Sequence, residues 1–214
     1  MISGIVLLSA LTFAPPPPPL PAEPAAETAK LVASLRREPP SRTAYTEVRF
    51  VRMLKRPLVL HGELGYGGPG SLSKRVDAPY RETTTIAGND VRVQREGKGE
   101  RSFSLDRAPE LGVLLSGFSA LLGGDGAALN RDFSVEAVQR DADWRLTLKP
   151  RSPALAKQLS AMIVDGRGGE PRCFTLREAD GDASTMLLGD LSKAALPDPP
   201  TREATAGLCG ESSR

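Results

Sequence analysis

The sequence predicts an α+β protein, mostly β, in which one curved antiparallel sheet of about ten strands has its concave apolar face closed by helices. Three observations predict it. From Glu47 to Pro79, apolar and charged residues alternate in short runs broken by Gly and Pro, and the same grammar returns in the second half of the chain. One segment, Leu111 to Leu122, is instead apolar at helix spacing. No strand-helix-strand period links the runs, which argues against a nucleotide-binding fold.

Composition bounds the rest. The 214 residues leave room for one domain once the termini are set aside, and 28 Lys plus Arg against 26 Asp plus Glu give a formal charge of +2. The basic residues are scattered, so nothing argues for nucleic acid, which would demand a concentrated basic stripe.

Ile5 to Ala14 is an uncharged apolar run of signal-peptide length, too short to span a bilayer of roughly 30 Å. Residues 1–14 are therefore read as an export signal, with an uncleaved anchor as the alternative. The run lacks a preceding Lys or Arg, and cleavage after Ala14 or between Ala22 and Ala26 both fit. No Cys follows it, which argues against a lipoprotein signal. Residues 15–24, with Pro15 to Pro19, Pro21 and Pro24, form a polyproline linker. The domain is expected over 25–196, followed by a polar tail over 197–214.

From Ala25 to Glu38 the chain turns helical, with Leu31, Val32 and Leu35 on neighbouring turns, and Pro39-Pro40 ends it. Val48 and Phe50 then alternate with Glu47, Arg49 and Arg52, and Leu58, Leu60, Leu64 and Tyr66 continue the pattern around His61 and Gly62. One face is expected to be apolar and the other charged. Gly67 to Gly70 turn the chain, and Leu72, Lys74 and Val76 resume the spacing, with Lys74 interrupting the apolar face. Thr83 to Ile86 and Val91 to Gln94 flank the turn Ala87-Gly88-Asn89-Asp90, and Arg101 to Leu105 is a further strand.

The helix Leu111 to Leu122 stops at Gly123-Gly124-Asp125-Gly126. Phe133 with Val135, and Trp144, Leu146 and Leu148, mark two more strands, the second closed by Pro150. Ser152-Pro153 caps a short helix with Leu155 and Leu159 on its face. Ala161 to Val164, Arg172 to Arg177 and Ser184 to Leu188 are the last strands, separated by turns at 165–169 and 180–182.

The run Phe50, Leu54, Pro57, Gly62, Pro69, Leu72, Pro79 resembles the opening of the LolA family, periplasmic carriers of outer-membrane lipoproteins. In that family a Pro-x-x-aromatic-x-Trp-x-x-x-x-Pro pattern follows the first hairpin, and Pro69 and Pro79 keep its spacing. Ile86 to Val91 is similar to the next hairpin, Leu111 to Leu122 sits where a cavity-closing helix is expected, and Trp144 to Pro150 resembles the strand that ends in Pro. The likeness spans Tyr45 to Leu191. Leu72 replaces the aromatic residue and Lys74 the Trp, so the family's contacts to its passenger do not carry over.

The resemblance implies a half-barrel with an apolar cavity and no catalysis. It also implies an acylated or otherwise apolar passenger, whether lipoprotein, lipid or pigment, with an inner-membrane release complex and an outer-membrane receptor as partners. The residues expected to line the cavity or its lid are Phe50, Leu60, Leu64, Leu111, Leu114, Leu115, Phe118, Leu121, Leu122, Phe133, Trp144, Leu146 and Met162. Gly112, Gly117, Gly123 and Gly124 would loosen the lid. Two readings stay open: the leucines and Trp144 line a cavity, or they fill an ordinary core in an exported interaction or structural protein. Met53, Met162 and Met186 allow the same choice between adaptable surface and gap-filler.

Cys173 and Cys209 are the only cysteines, and in an exported chain an even count suggests a disulfide pinning the tail to a late strand. No metal site or cofactor is expected. His61, the only histidine, lies mid-strand and reads as a surface or edge residue. Gly117-Phe118-Ser119-Ala120-Leu121 lacks the second Gly of a nucleophile elbow. Asp141 with Asp143, and Asp180 with Asp182, read as solvated turn formers.

Overall fold

A computed structural model describes residues 23–210. The readings of an export signal and of most of the proline linker fall on residues 1–22, outside the described residues. Along the chain run α1 (Glu23–Ser34), β1 (Ser41–Phe50), β2 (Leu58–Gly68), β3 (Ser71–Ala78), β4 (Glu82–Ala87), β5 (Asp90–Arg95) and β6 (Gly99–Ser104). After a 3₁₀ turn at Leu105–Arg107 come α2 (Pro109–Gly123), α3 (Gly126–Asp132), β7 (Phe133–Arg140), β8 (Asp143–Pro150) and α4 (Pro153–Ala156). The chain continues with β9 (Leu159–Arg167), β10 (Glu170–Glu178), β11 (Ala183–Leu188), a 3₁₀ turn at Gly189–Lys193 and α5 (Arg202–Leu208).

The fold class is as the sequence predicts. All eleven strands join one curved antiparallel sheet in the order β6-β5-β4-β3-β2-β1-β11-β10-β9-β8-β7. The first six strands meander outward from the centre to one edge. The chain then crosses through α2 and α3 to the opposite edge and meanders back, until β11 pairs with β1. That single crossover is what lays α2 across one face of the sheet.

Local chemistry sets the ends of the helices. Pro109 stands in the first turn of α2, and Gly124 closes its far end in the left-handed region at φ 68°. Asp125 then caps α3 by accepting from the Ala128 N–H at 2.8 Å. Ser152 caps α4 through Leu155 N–H, with Pro153 in the first turn. The first helix ends at Ser34, four residues short of its predicted end, because Arg37 N–H turns away to donate to Leu122 O at 2.8 Å. The strand β1 starts at Ser41, well before Glu47.

The core lies between the helices and the β7–β11 half of the sheet. Leu31 and Val32 of α1 with Leu35 just after it, Ala120 and Leu121 of α2 and Leu129 of α3 meet Phe133, Leu146, Leu148, Met162 and Phe174. Phe118 lies against Phe174 with ring centroids 4.0 Å apart.

A second layer covers the opposite face. Val48, Leu187 and Cys173 are fully buried there without joining the helix-side core. Cys173 is bonded to Cys209, as the cysteine count suggested, and Thr201 caps α5 by accepting from Ala204 N–H. The tail is thus a helix clasped to the sheet, and nothing in its polar, proline-rich sequence predicts that helix.

Candidate functional site

The alternation in β1 is real, but the apolar row faces the other way. Tyr45 pairs with Gly62, Glu47 with Leu60 and Arg49 with Leu58, so these odd-numbered residues share the helix side of the sheet. Phe50 therefore does not join the expected cavity. It lies beneath α5, with the Arg202 guanidinium 5.0 Å from its ring centroid. As the central strand of eleven, β1 is covered on both faces, and one face being charged does not make it the outer one.

Glu47 is consequently buried at 1% exposure on the helix-covered face. Its carboxylate accepts from Lys74 Nζ and, at 2.8 Å, from Arg49 Nε. Burial raises the Glu47 pKa, but Lys74 and Arg49 outweigh it and hold the carboxyl below the ordinary glutamate range. Burial pulls Lys74 down in spite of its partner. Tyr45 is pushed upward, by burial first and by the Glu47 charge second. Lys74, which stands where the family pattern has Trp, also lies 5.2 Å from the Tyr45 ring centroid.

The remaining expected site residues divide between core and opening. Leu60, Phe133, Leu146 and Met162 are fully buried, and Leu121 is nearly so. Leu64, Leu114 and Phe118 are half-buried against the same cluster. Trp144 stands over Gly166 and donates from Nε1 to Gly168 O at 2.7 Å, the geometry of a packed anchor. Leu111 and Leu122 are half-buried along α2. Of the three methionines weighed, Met162 and Met186 are buried and Met53 is 93% exposed in the β1–β2 loop.

Leu115 alone of that set lines an opening on this side, a groove of about 570 Å³ between α2 and strands β2 to β4. Its walls are Tyr66, Leu72 and Ile86 on the sheet, with Leu105 and Leu115 opposite. Exposed Arg36, Pro69, Gly88 and Ser116 form its rim. The sheet face is thus filled over β7 to β11 and open over β2 to β4. Tyr66, Leu72, Ile86 and Leu105 were not singled out as site residues, although each sits in an apolar alternation that the sequence displays. Ser119, from the failed elbow motif, accepts from Gly70 N–H at 3.1 Å and ties α2 to the β2–β3 turn across the groove.

No constellation for covalent chemistry forms among the residues weighed for it. His61 is exposed on the other face, where its Nδ1 is 2.8 Å from Thr46 Oγ1. Asp180 and Asp182 lie in the β10–β11 turn and both hold the Arg52 guanidinium. None of the described helices is long and apolar enough to cross a membrane.

The family described as outer membrane lipoprotein carrier protein LolA-like matches residues 21–212. No curated protein matches significantly. Similar solved structures include a LolA superfamily protein from Nitrosomonas europaea, 11% identical with a TM-score of 0.43, covering 81% of this chain and 95% of that one. A DUF1329 family protein from Desulfovibrio piger is 9% identical with a TM-score of 0.42, covering 85% and 99%. An outer membrane lipoprotein-sorting protein domain from Vibrio parahaemolyticus is 8% identical with a TM-score of 0.42, covering 77% and 89%.

Proposed function

We propose that this chain, which belongs to the family of LolA-like outer membrane lipoprotein carrier proteins, is an exported, non-catalytic carrier. It takes acyl chains or a similarly apolar group into the groove beside α2 and transfers them toward the outer membrane. The observation that carries this reading is the 570 Å³ groove itself, apolar on both walls and within the size range of small-molecule sites.

The energetics fit a shuttle. Each buried methylene gains roughly 0.8 kcal/mol, so a chain of about 16 carbons gains on the order of 12 kcal/mol gross, and a bilayer offers the same. Release then depends on a site that opens. The Leu115 side of α2 is suited to that, because it borders open space while the Gly117 side is packed.

In this reading residues 1–14 direct export to the periplasm, 15–24 are a linker, 25–196 carry the passenger, and α5 of the tail braces the sheet. An inner-membrane release complex and an outer-membrane receptor would be the partners, by analogy with the family. The full burial of Phe133, Leu146 and Met162 favours the second reading, an exported interaction protein with a filled core, for the β7–β11 half only.

Native mass spectrometry of the protein purified from its own periplasm, with lipid extraction of what remains bound, tests the proposal. A discrete added mass that Leu115→Trp removes is expected. An empty protein that also leaves a fluorescent fatty acid unbound overturns the carrier reading and leaves the interaction protein.

A further inference from the structure

On the same face of the sheet, a row that carries cations follows the groove's apolar row. Tyr66 pairs with Leu72 and Leu72 with Ile86, which makes the groove's apolar row. Two residues further along each strand, roughly 7 Å away, the next row on that face runs from Lys74 through Thr84 and Val93 to Arg101. The row after it contains Glu82 and Arg95.

Around these residues lies a separate pocket of about 160 Å³, bounded by Glu82, Val93, Arg95, Lys98 and Arg101. Its charge is unbalanced. Arg95 lies over the Tyr80 ring at 3.9 Å and reaches Glu82 at 3.9 Å. Among the described residues Lys98 and Arg101 have no ion-pair partner. Behind them Glu47 is shared by Lys74 and Arg49. On this face of β1 and β3 to β6, the cations therefore outnumber Glu47 and Glu82.

The geometry points to a passenger that is an amphiphile with an anionic head. Its chain occupies the groove between Leu115 and Leu72, and its phosphate or carboxylate is held by Arg95, Lys98 and Arg101. This inference rests on the carrier reading and narrows it. Arg101 lies two residues along and two strands across from Ile86, about 12 Å by sheet spacing, a distance that the chain of one amphiphile bridges. Lys98 and Arg101 are exposed, so they offer an anionic head charge-assisted hydrogen bonds whose strength depends on salt.

Competition against a groove-bound fluorescent fatty acid, with the full chain and twelve-carbon probes below their micelle concentrations, tests it. Dodecyl phosphate and laurate are expected to displace the fluorophore about tenfold more effectively than dodecanol. That preference should shrink in about 0.5 M salt. Inorganic phosphate alone should displace nothing. The double variant Lys98→Gln/Arg101→Gln, which removes two unpaired side chains and leaves the packed core intact, should lose the preference while binding dodecanol as before. Equal competition by dodecanol and dodecyl phosphate overturns the headgroup site and leaves the carrier. Displacement by inorganic phosphate overturns it in favour of a free-anion site. Failure of every probe, the fluorophore included, overturns the carrier reading and this inference together.

Discussion

Gly117 of α2 lies directly on the ring of Phe133: a Cβ at this glycine would stand 2.6 Å from the phenyl Cε2 and 3.2 Å from the Met162 methyl. The glycine therefore seats the helix on the sheet, where the sequence suggested that it loosens a lid. Gly117→Ala is expected to cost about 1–3 kcal/mol through overpacking. Urea denaturation followed by Trp144 fluorescence would measure it, and an unchanged midpoint would show that α2 is not held there.

On the other side of α2 the Ser119 hydroxyl accepts from Gly70 N–H across the groove. Ser119→Ala should cost only about 1 kcal/mol in stability. It should nonetheless speed exchange of a bound fluorescent fatty acid, because it frees the helix side that borders the groove. Stopped-flow displacement reads the rate, and a rate equal to wild type would place the opening motion elsewhere.

Glu47 is held below its ordinary pKa of 4.5 by Lys74 and Arg49. Its stabilising contribution is therefore present above pH 4.5 and lost as pH falls through the lower folded value. Glu47→Gln should flatten the acid limb of the stability profile. At neutral pH it should cost about 2–4 kcal/mol, below the usual figure for a broken buried pair because Lys74 and Arg49 keep partial access to water. Thermal melts between about pH 3 and pH 7 compare the two proteins.

The Cys173–Cys209 bond closes a loop of 36 residues between β10 and the end of α5. In the chain-entropy model such a closure is worth about 4 kcal/mol. Cys209→Ser should lower stability by up to about that amount. Hydrogen exchange should rise first over residues 197–210 and over the strand faces they cover. Exchange rising instead across α2 would mean that the clasp and the groove are mechanically coupled.

Most of the sheet was legible because turn chemistry and period-two alternation are local. Gly67 to Gly70, Gly88-Asn89 and Asp180 to Asp182 each end a strand in the sequence as in the structure. The helix α2 was legible too, from Leu111, Leu114, Leu115, Phe118 and Leu121. The helices α3 and α5 were not, since each is seven residues long and is held by a single cap, with the disulfide beside α5. Such segments carry too little apolar periodicity to announce themselves.

The groove was half legible. Leu115 was named among its lining, but Tyr66, Leu72 and Ile86 come together only because β2, β3 and β4 pair in register and the crossover brings α2 beside them. By itself, then, the sequence determined the strand and turn order, the main helix and the family resemblance, and its two cysteines suggested the disulfide that the structure shows. Tertiary structure alone decided sidedness. Alternation says that Glu47 and Val48 face opposite ways, but a period of two is symmetric and does not say which face meets the helices. That choice was made by β1 pairing with β11 at the centre of the sheet, with α2 crossing one face and α5 clasped to the other. A charged row was thereby turned toward the helix side of the sheet, and Phe50 was turned away from it.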